Sequence, residues 1–318
     1  MKMKFLVFGF VCILSVGCAS EPSGQTEPAV VKPADSSVAR AGDQQDAELQ
    51  KQLEEIAKAA NGRVGVAAVL LETGSTVSLN ARERYPMQSV YKLPIGMAVM
   101  KQVDAGKIKL DQKVGVTKDD YIGPAAHSPI RDKHPNGVEL TVSELMGWML
   151  KESDGTASDV LLRLAGGPAA IQAYLTDLKI TEMIVRDTEK AFSEDQSLQF
   201  RNWAMPDAAV ALLRALHESR DLSESSRTLL IKMMTESTPG AKRLKGLLPA
   251  GTNVAHKTGT SGTQNGVTAA TNDIGIITLA NGRHIAIAVF VADSPSDQKT
   301  REEVIAKVAR AVWDKWSR

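Results

Sequence analysis

The chain of 318 residues has few cysteines, few aromatic residues and almost no net charge. Its two cysteines, Cys12 and Cys18, both lie near the start, so the rest of the chain can form no disulfide and cannot be a cysteine hydrolase or a thiolate metal protein. A net charge of +1 gives no field that would recruit nucleic acid or an anionic membrane. No apolar run after residue 20 approaches the length of a membrane span. The chain does have enough apolar sequence, 43%, to fill the core of one large domain or two closely packed lobes.

The start of the chain predicts export. Residues 1–19 have the pattern of a signal peptide, with Lys2 and Lys4 ahead of a short apolar stretch. Cleavage before Cys18 would give a lipoprotein anchored through that cysteine, and cleavage after the next alanine would give an unanchored product. We expect an exported, periplasmic protein in either case. Residues 20–45 are rich in Pro, Ser, Ala and Gln without periodicity, which predicts a flexible tether.

Hydrophobic periodicity predicts an α/β catalytic domain over residues 46–318. Apolar residues repeat at helical spacing over 46–60 and again over 304–316. Apolar, β-branched runs separated by turn residues predict hairpins at 64–80 and 272–291. The predicted sheet is therefore antiparallel, is built from both ends of the domain, and is flanked by the terminal helices.

The middle of the chain, residues 85–237, has helical periodicity. Thr141 and Glu144 have the spacing of a capping box that opens one of these helices. We therefore expect an α/β lobe, formed by residues 46–84 and 238–318, that holds an inserted all-α lobe. Clefts between such lobes are common active sites.

A serine and a lysine stand three residues apart at the start of an apolar helix, in Ser89-Val90-Tyr91-Lys92. This spacing puts Ser89 and Lys92 on one face. Free backbone N–H groups at a helix start, including that of Ser89, can stabilise an oxyanion. A lysine kept neutral by desolvation can carry a proton from the hydroxyl. Because Ser-x-x-Lys arises by chance about once in a chain of this size, the assignment depends on its context.

Two later segments supply that context. Ser153-Asp154 follows a predicted helix, where Ser153 is either a helix cap or a proton shuttle to a leaving nitrogen. Lys257-Thr258-Gly259 lies in a polar strand, where Lys257 is either the cationic wall of a cleft or a protective lysine on a sheet edge. Thr260 can offer a second backbone N–H to an oxyanion. A nucleophile, a proton carrier and a cation together indicate covalent acyl transfer at a serine.

These three motifs, in this order, resemble the signature of class A β-lactamases and penicillin-binding proteins. Over residues 46–318 the chain resembles a class A serine β-lactamase and is most similar to the extended-spectrum PER-type branch. The resemblance implies small-molecule β-lactam substrates and a monomer. No cofactor is expected, and the five histidines lack the spacing of metal ligands. The segments that carry the likeness are 204–206, 244–251, 256–262, 269–275 and 289–293.

The resemblance also implies roles for individual residues. Glu189 would be the base that activates water to hydrolyse an acyl-enzyme on Ser89, with Asp187 as the nearest rival acid. Whether Lys92 or Glu189 takes the first proton is open. Arg243 would bind the substrate carboxylate, for which a planar, permanent cation is suited. The implied substrate-binding residues are Thr258, Gly259, Thr260, Arg243, His127 and Gly155.

His127 precedes Ser128-Pro129-Ile130, where the family usually carries an aromatic residue at the rim of the cleft. It either stacks on substrate or is a solvated loop histidine.

The chain departs from the family pattern around these residues. Gly155 stands where an asparagine contacts the substrate amide, so that contact is lost or replaced. Lys190 replaces a proline, and Ser193 replaces an asparagine that helps hold the water. Asp187 and Asn202 occupy positions that usually pair as arginine and aspartate. We therefore expect the loop around Glu189 to be folded or braced differently.

The residues beside two of the motifs narrow the range of β-lactams that we expect the chain to hydrolyse. Gln88 and Ser261 stand where class A carbapenemases carry a disulfide, which this chain cannot form. We therefore expect turnover of penicillins and cephalosporins, including bulky cephalosporins, and poor turnover of carbapenems.

Two other functions stay open at this point. A penicillin-binding DD-peptidase or transpeptidase would use the same Ser89, Lys92 and Lys257 but would need no base such as Glu189. A non-hydrolytic lipoprotein that binds β-lactams or muropeptides is kept open by Gly155.

Overall fold

The computed structural model describes residues 37–318, with side chains from residue 47 onward. The predicted signal peptide 1–19, Cys18 and the predicted tether up to residue 36 lie outside the described residues. The compact unit that holds the site is Gly42–Arg318. Between residues 37 and 318, we find no helix with both the length and the apolar character needed to cross a membrane.

Helices account for most of the described chain. The ten α-helices over these residues are α1 (Ser37–Lys58), α2 (Lys92–Asp104), α3 (Pro129–Lys133), α4 (Val142–Lys151), α5 (Gly155–Leu164), α6 (Gly167–Asp177), α7 (Glu189–Glu194), α8 (Pro206–His217), α9 (Glu224–Thr235) and α10 (Gln298–Trp316). Short 3₁₀ turns occupy Gln88–Tyr91, Lys118–Asp120 and Gln196–Phe200.

The strands form one large sheet and two small ones. In chain order the strands are β1 (Arg63–Leu70), β2 (Thr76–Leu79), β3 (Tyr85–Pro86), β4 (Lys113–Val116), β5 (Val138–Thr141), β6 (Met183–Ile184), β7 (Trp203–Ala204), β8 (Val254–Thr260), β9 (Thr263–Gln264), β10 (Val267–Thr278) and β11 (His284–Ser294). The large sheet is antiparallel, with the order β2-β1-β11-β10-β8 and β9 paired to β10. Both ends of the domain contribute to it, as predicted.

The sheet is buried on both faces, which explains why β11 is an almost continuous apolar run. Alternate residues of β11 point to opposite faces. Ile285 and Ile287 join the core beneath α1 and α10, whereas Ala286 and Phe290 join the core shared with the central helices. The predicted sheet flanked by terminal helices is confirmed.

The region predicted to be all-α is mainly helical but contains strands. β4 pairs with β5, and β3, β7 and β6 form a small sheet. These strands have only two to four residues each. Such lengths are too short for period-2 alternation to show in the sequence, which is why they were not predicted.

The first helix is longer than expected, since it begins at Ser37 instead of Asp46. Residues 37–45 were predicted to belong to the flexible tether, but they are helical; they include good helix formers such as Ala, Gln and Arg. They lack an apolar stripe, so periodicity alone could not find them. By contrast, the capping box of α4 is confirmed: Glu144 Oε2 accepts from Thr141 N at 2.7 Å, and Thr141 Oγ1 accepts from Glu144 N at 3.2 Å.

Candidate active site

Ser89 lies in the 3₁₀ turn that leads into α2. Residues i and i+3 eclipse one another in a 3₁₀ turn, so Ser89 and Lys92 project to the same side. Lys92 Nζ donates to Ser89 Oγ at 2.9 Å. Gln88, just before the nucleophile, has a φ of +48°, which is a strained backbone conformation for a residue with a side chain. The turn therefore holds the hydroxyl in a fixed position against the lysine.

Lys92 contacts several other residues of the site. Only 1% of its surface is exposed, and its ammonium group reaches two further acceptors. It donates to Ser153 O at 2.7 Å, and it lies 2.9 Å from Glu189 Oε1. A buried lysine with three such partners is fixed in direction, so it can pass a proton between the serine and the glutamate.

Ser153 connects Lys92 to the edge of the large sheet. It lies between α4 and α5 with a φ of +61°, and its Oγ accepts from Lys257 Nζ at 2.9 Å. Asp154, next in the chain, caps α5 by accepting from Ala157 N at 2.8 Å and also accepts from Ile130 N at 2.7 Å. The cap and the shuttle position are therefore both present, one on each residue of the Ser-Asp pair.

Lys257 is fully buried on β8, the edge strand of the large sheet. Burial lowers the pKa of its ammonium group, and the nearby charge of Lys92 lowers it further. A lowered pKa lets Lys257 exchange a proton with Ser153. Gly259 permits β8 to approach the nucleophile, because a Cβ at this position would lie 2.3 Å from Met87 O.

Glu189 is the first residue of α7, which Thr188 caps by accepting from Ala191 N. Its position is set by Asp159 on α5. Asp159 Oδ1 accepts from Glu189 N and Oδ2 accepts from Lys190 N, both at 2.8 Å. Burial, followed by the charge of Glu189, raises the pKa of Asp159 from 3.8 to about 7.

Asn202 braces the other side of the same loop. Its side-chain oxygen accepts from Arg186 N and Asp187 N at 2.7 and 2.9 Å, and its amide donates to Asp187 O at 2.9 Å. The Asp187 carboxylate pairs with Arg201 at 3.1 Å, and Asp187 does not line the cavity that Ser89 and Glu189 line. Asn202 thus holds the loop through hydrogen bonds to its backbone, whereas the family usually has an arginine–aspartate side-chain pair at these positions.

Ser193 and Lys190 attach the loop to the segment that precedes α3. Ser193 Oγ accepts from Gly123 N at 2.9 Å and donates to Lys190 O at 2.7 Å. Lys190 Nζ donates to Asp119 O at 2.7 Å. The Ser193 hydroxyl therefore has two protein partners that hold the loop in place.

Arg243 lies behind β8 and is 4% exposed. Its guanidinium donates to Thr260 Oγ1 at 2.8 Å and to the carbonyls of Gly259 and Asn272 at 3.1 and 2.9 Å. In this structure it reaches the cleft through the hydroxyl of Thr260. Because Thr260 Oγ1 accepts from Arg243, its own O–H is free to donate to an anion in the cleft.

His127 lines the cavity, whereas Gly155 is buried beside it and does not line it. A Cβ at Gly155 would lie 2.4 Å from Ile122 Cδ1 and 3.4 Å from Glu189 Cβ, so Ile122 fills the space where a side chain would begin. The exposed ring of His127 is tied to Glu152 O through Nε2 at 2.9 Å. That contact holds the ring at the rim.

These residues surround a cavity with a volume of about 520 Å³. Of the predicted site residues, Ser89, Lys92, His127, Ser153, Glu189, Thr258 and Thr260 line it. Lys257 reaches it through Ser153, and Arg243 reaches it through Thr260. The predicted oxyanion donors, the backbone N–H groups of Ser89 and Thr260, belong to residues on the same wall.

Sequence reasoning missed Asp159. The only signal was its spacing, because Asp159 follows Gly155 by one helical turn and so lies on the same face of α5. It also missed Gln88 and Gln199, whose side chains are 2.7 Å apart and link the residue before the nucleophile to the loop after α7. No pattern in the sequence marks that contact.

The chain is similar to known proteins over most of its length. The model of the Beta-lactamase enzyme family matches residues 48–316. Beta-lactamase VEB-1 of Pseudomonas aeruginosa is 40% identical over 84% of this chain and 89% of its own length. Extended-spectrum beta-lactamase PER-1 of the same species is 40% identical over 83% of this chain and 86% of its own length.

Solved structures agree with these relatives. A β-lactamase from Chitinophaga pinensis superposes with a TM-score of 0.82 at 43% identity, over 84% of this chain and 98% of that one. The TLA-3 extended-spectrum β-lactamase superposes with a TM-score of 0.83 at 41% identity, over 86% of this chain and all of that one.

Proposed function

The chain belongs to the Beta-lactamase enzyme family as a class A serine β-lactamase, and we propose that it hydrolyses penicillins and cephalosporins through an acyl-enzyme on Ser89. The observation that carries these residue roles is the position of Lys92 Nζ, 2.9 Å from both Ser89 Oγ and Glu189 Oε1. One buried lysine thus joins the nucleophile to the carboxylate.

Acylation begins at Ser89. Its Oγ bonds to the β-lactam carbonyl carbon while its proton passes to Lys92 or Glu189. The backbone N–H groups of Ser89 and Thr260 stabilise the oxyanion. The carbonyl–nitrogen bond of the ring then breaks, and the leaving nitrogen takes a proton from Ser153, which Lys257 resupplies. The proton that Ser89 gave to Lys92 or Glu189 restores the Ser153–Lys257 pair, so Glu189 is again ionised.

Deacylation depends on Glu189. A water between Glu189 and Ser89 gives one proton to the carboxylate, and its oxygen bonds to the acyl carbon. The ester bond to Ser89 Oγ then breaks, and the serine recovers the proton from Glu189 through Lys92, which regenerates both groups. Asp159 keeps the carboxylate in position for this step by holding the backbone of the loop.

The substrates follow from the cleft and from the relatives. Extended-spectrum enzymes at about 40% identity support turnover of bulky cephalosporins. Thr258 and Thr260 supply hydroxyl groups for the substrate carboxylate, and Arg243 supplies the positive charge behind them. Neither Gln88 nor Ser261 can form a disulfide, and carbapenem turnover is expected to be poor.

We place the enzyme in the periplasm as an exported monomer, tethered by a lipid on Cys18. Lys2, Lys4 and the apolar stretch after them support export. Labelling of growing cells with a radioactive fatty acid tests the anchor, since Cys18→Ser would abolish the label. Label that survives this substitution would rule the anchor out.

The test of function is intact-mass spectrometry of the full chain mixed with a chromogenic cephalosporin. The native chain should turn over many equivalents without a lasting adduct. Glu189→Ala should acylate and then retain the adduct on Ser89, with deacylation slowed by about 10²-fold or more. Glu194→Ala, an exposed acid on the same helix, is the matched control and should behave as native.

The other outcomes distinguish the alternatives. A stable adduct on the native chain would mean a penicillin-binding peptidase or an acylated sensor. No adduct and no turnover would leave only non-covalent binding. Fast deacylation in Glu189→Ala would show that another group activates the water.

A further inference from the structure

A second cluster of reactive side chains lies on elements that do not line the cavity. Glu72 follows β1, His284 opens β11, and His217 ends α8. One ligand atom from each of these residues lies within 4.8 Å of the others. Nothing in the proposed β-lactam chemistry uses them. We propose that these three residues form a binding site for a divalent transition metal, with Zn²⁺ as the preferred ion.

Two of the three ligands are already held in place. Glu72 accepts from the backbone N–H of His284 through both oxygens, at 3.0 and 2.9 Å, and one oxygen lies 2.8 Å from His284 Nδ1. The chain on either side is fixed as well, because Leu71 N donates to His284 O at 2.9 Å. A metal that binds here needs little ordering of these two side chains.

His217 supplies the third ligand. Its ring centroid is 4.5 Å from that of His284, and within the described part of the chain neither of its ring nitrogens has a hydrogen-bond partner. A half-buried imidazole without a protein partner, beside a second imidazole and a carboxylate, is suited to a metal.

The donor set selects the ion. Imidazole favours Zn²⁺ and its neighbours in the first transition row over Mg²⁺ and Ca²⁺, which prefer oxygen ligands. Two histidines and one glutamate, with water in the fourth position, is an established zinc arrangement. Bonds of about 2.0–2.1 Å in a tetrahedron place the ligand atoms roughly 3.3 Å apart. The ligand atoms now lie within 4.8 Å of one another, so they must move closer by up to about 1.5 Å when a metal binds, and His284 Nδ1 must exchange its contact with Glu72 for the metal.

Binding would have a structural effect. α8 packs on β1 and β11, and a metal would join the end of this helix to the start of β11. A ligand that binds only the folded chain raises its unfolding temperature. The site therefore predicts stabilisation by Zn²⁺ without participation in hydrolysis.

Calorimetric titration with ZnCl₂ at pH 7.5 tests the proposal. It uses the full chain with Cys12→Ser and Cys18→Ser, which remove both thiols. We expect one Zn²⁺ per chain and a Tm rise of about 3 °C or more with excess metal, with no rise in Mg²⁺. His217→Ala and His284→Ala should each weaken binding by at least about tenfold and remove the Tm rise. His134→Ala changes a histidine outside the cluster and should bind as the parent does.

Either of two results would overturn the site: a parent chain that does not bind Zn²⁺, or His217 and His284 variants that bind it as the parent does. Glu72→Gln preserves the shape of the carboxylate, so it answers the question even if a histidine variant fails to fold; undiminished binding in Glu72→Gln would remove Glu72 from the site. Hydrolysis of a chromogenic cephalosporin should be the same with chelator and with Zn²⁺, which separates this test from that of the acyl-enzyme mechanism.

Discussion

The two halves of the proposed catalytic site are built in different ways. The acylating half, Ser89, Lys92, Ser153 and Lys257, stands on α2, on the α4–α5 junction and on β8, and its lysines are buried. The hydrolytic half, Glu189 and its loop, is only partly buried and is held by hydrogen bonds to its backbone from Asp159 and Asn202. Core packing fixes the first half, and a few polar contacts fix the second.

Because the two halves are held in place differently, substitutions in them should impair different steps of the reaction. Damage to the acylating half should stop adduct formation. If Lys92 takes the first proton, damage to the supports of the loop should leave acylation intact and slow hydrolysis of the adduct. Lys92 belongs to both halves, because it contacts Ser89 and Glu189 together.

The largest effect on the reaction is expected from Lys92→Ala, which removes the side chain that contacts both Ser89 and Glu189. Without its proton carrier, Ser89 should acylate about 10²–10⁴-fold more slowly. Rapid mixing of enzyme with a chromogenic cephalosporin, followed by intact mass, measures this rate. Lys101 lies on the same helix but pairs with Asp221 at the surface, so Lys101→Ala should acylate at the native rate. An unchanged acylation rate in Lys92→Ala would contradict the proposed division of the site into an acylating and a hydrolytic half.

Asp159→Asn should affect the hydrolytic half alone. An asparagine offers one oxygen instead of two, so the backbone N–H of Glu189 or that of Lys190 loses its acceptor. Misplacement of the base by about 1 Å costs on the order of 10²-fold in deacylation. Single-turnover kinetics should show normal acylation, and Asp132→Asn, an exposed acid, should match the native enzyme. Equal losses in both steps would mean that Asp159 supports the whole site.

The raised pKa of Asp159 also predicts how stability depends on pH. Its pKa is about 7 in the folded chain against an ordinary 3.8, so between these values the folded chain binds more protons than the unfolded chain. The free energy of unfolding should therefore fall as pH rises from about 4 to about 7. Urea unfolding across this window should show a shallower fall for Asp159→Asn. Parallel curves for the two proteins would show that Asp159 is not the titrating group.

Asn202→Ala should have the smallest effect. It leaves the backbone groups of Arg186 and Asp187 without partners in a buried place, which costs about 1–3 kcal/mol in the free energy of unfolding. Thermal unfolding should show a Tm lower by several degrees, with deacylation reduced more than acylation. Asn253→Ala, an exposed asparagine, is the control. If Tm is unchanged, Asn202 does not brace the loop.

The acylating half was the part of the site that the sequence could predict. Its residues sit in contiguous motifs whose spacing reflects helix and strand geometry, so Ser89 with Lys92 could be read from a three-residue separation. The large sheet was predictable for the same reason, since β1, β10 and β11 are long enough to show their pattern. The hydrolytic half was harder, because its supports lie far from Glu189 in the chain and act on backbone atoms.

The sequence by itself determined the family and the sheet built from both ends of the domain, and it supplied the prediction that Ser89 is the nucleophile and that Lys92 and Lys257 are its lysines. Only the tertiary structure showed that Asp159 and Asn202 hold the loop, that Arg243 acts from behind Thr260, and that His217 meets His284 and Glu72. The reason is physical. Local periodicity and motif spacing record interactions within one turn or one strand, whereas contacts between side chains and distant backbone groups depend on how the elements pack.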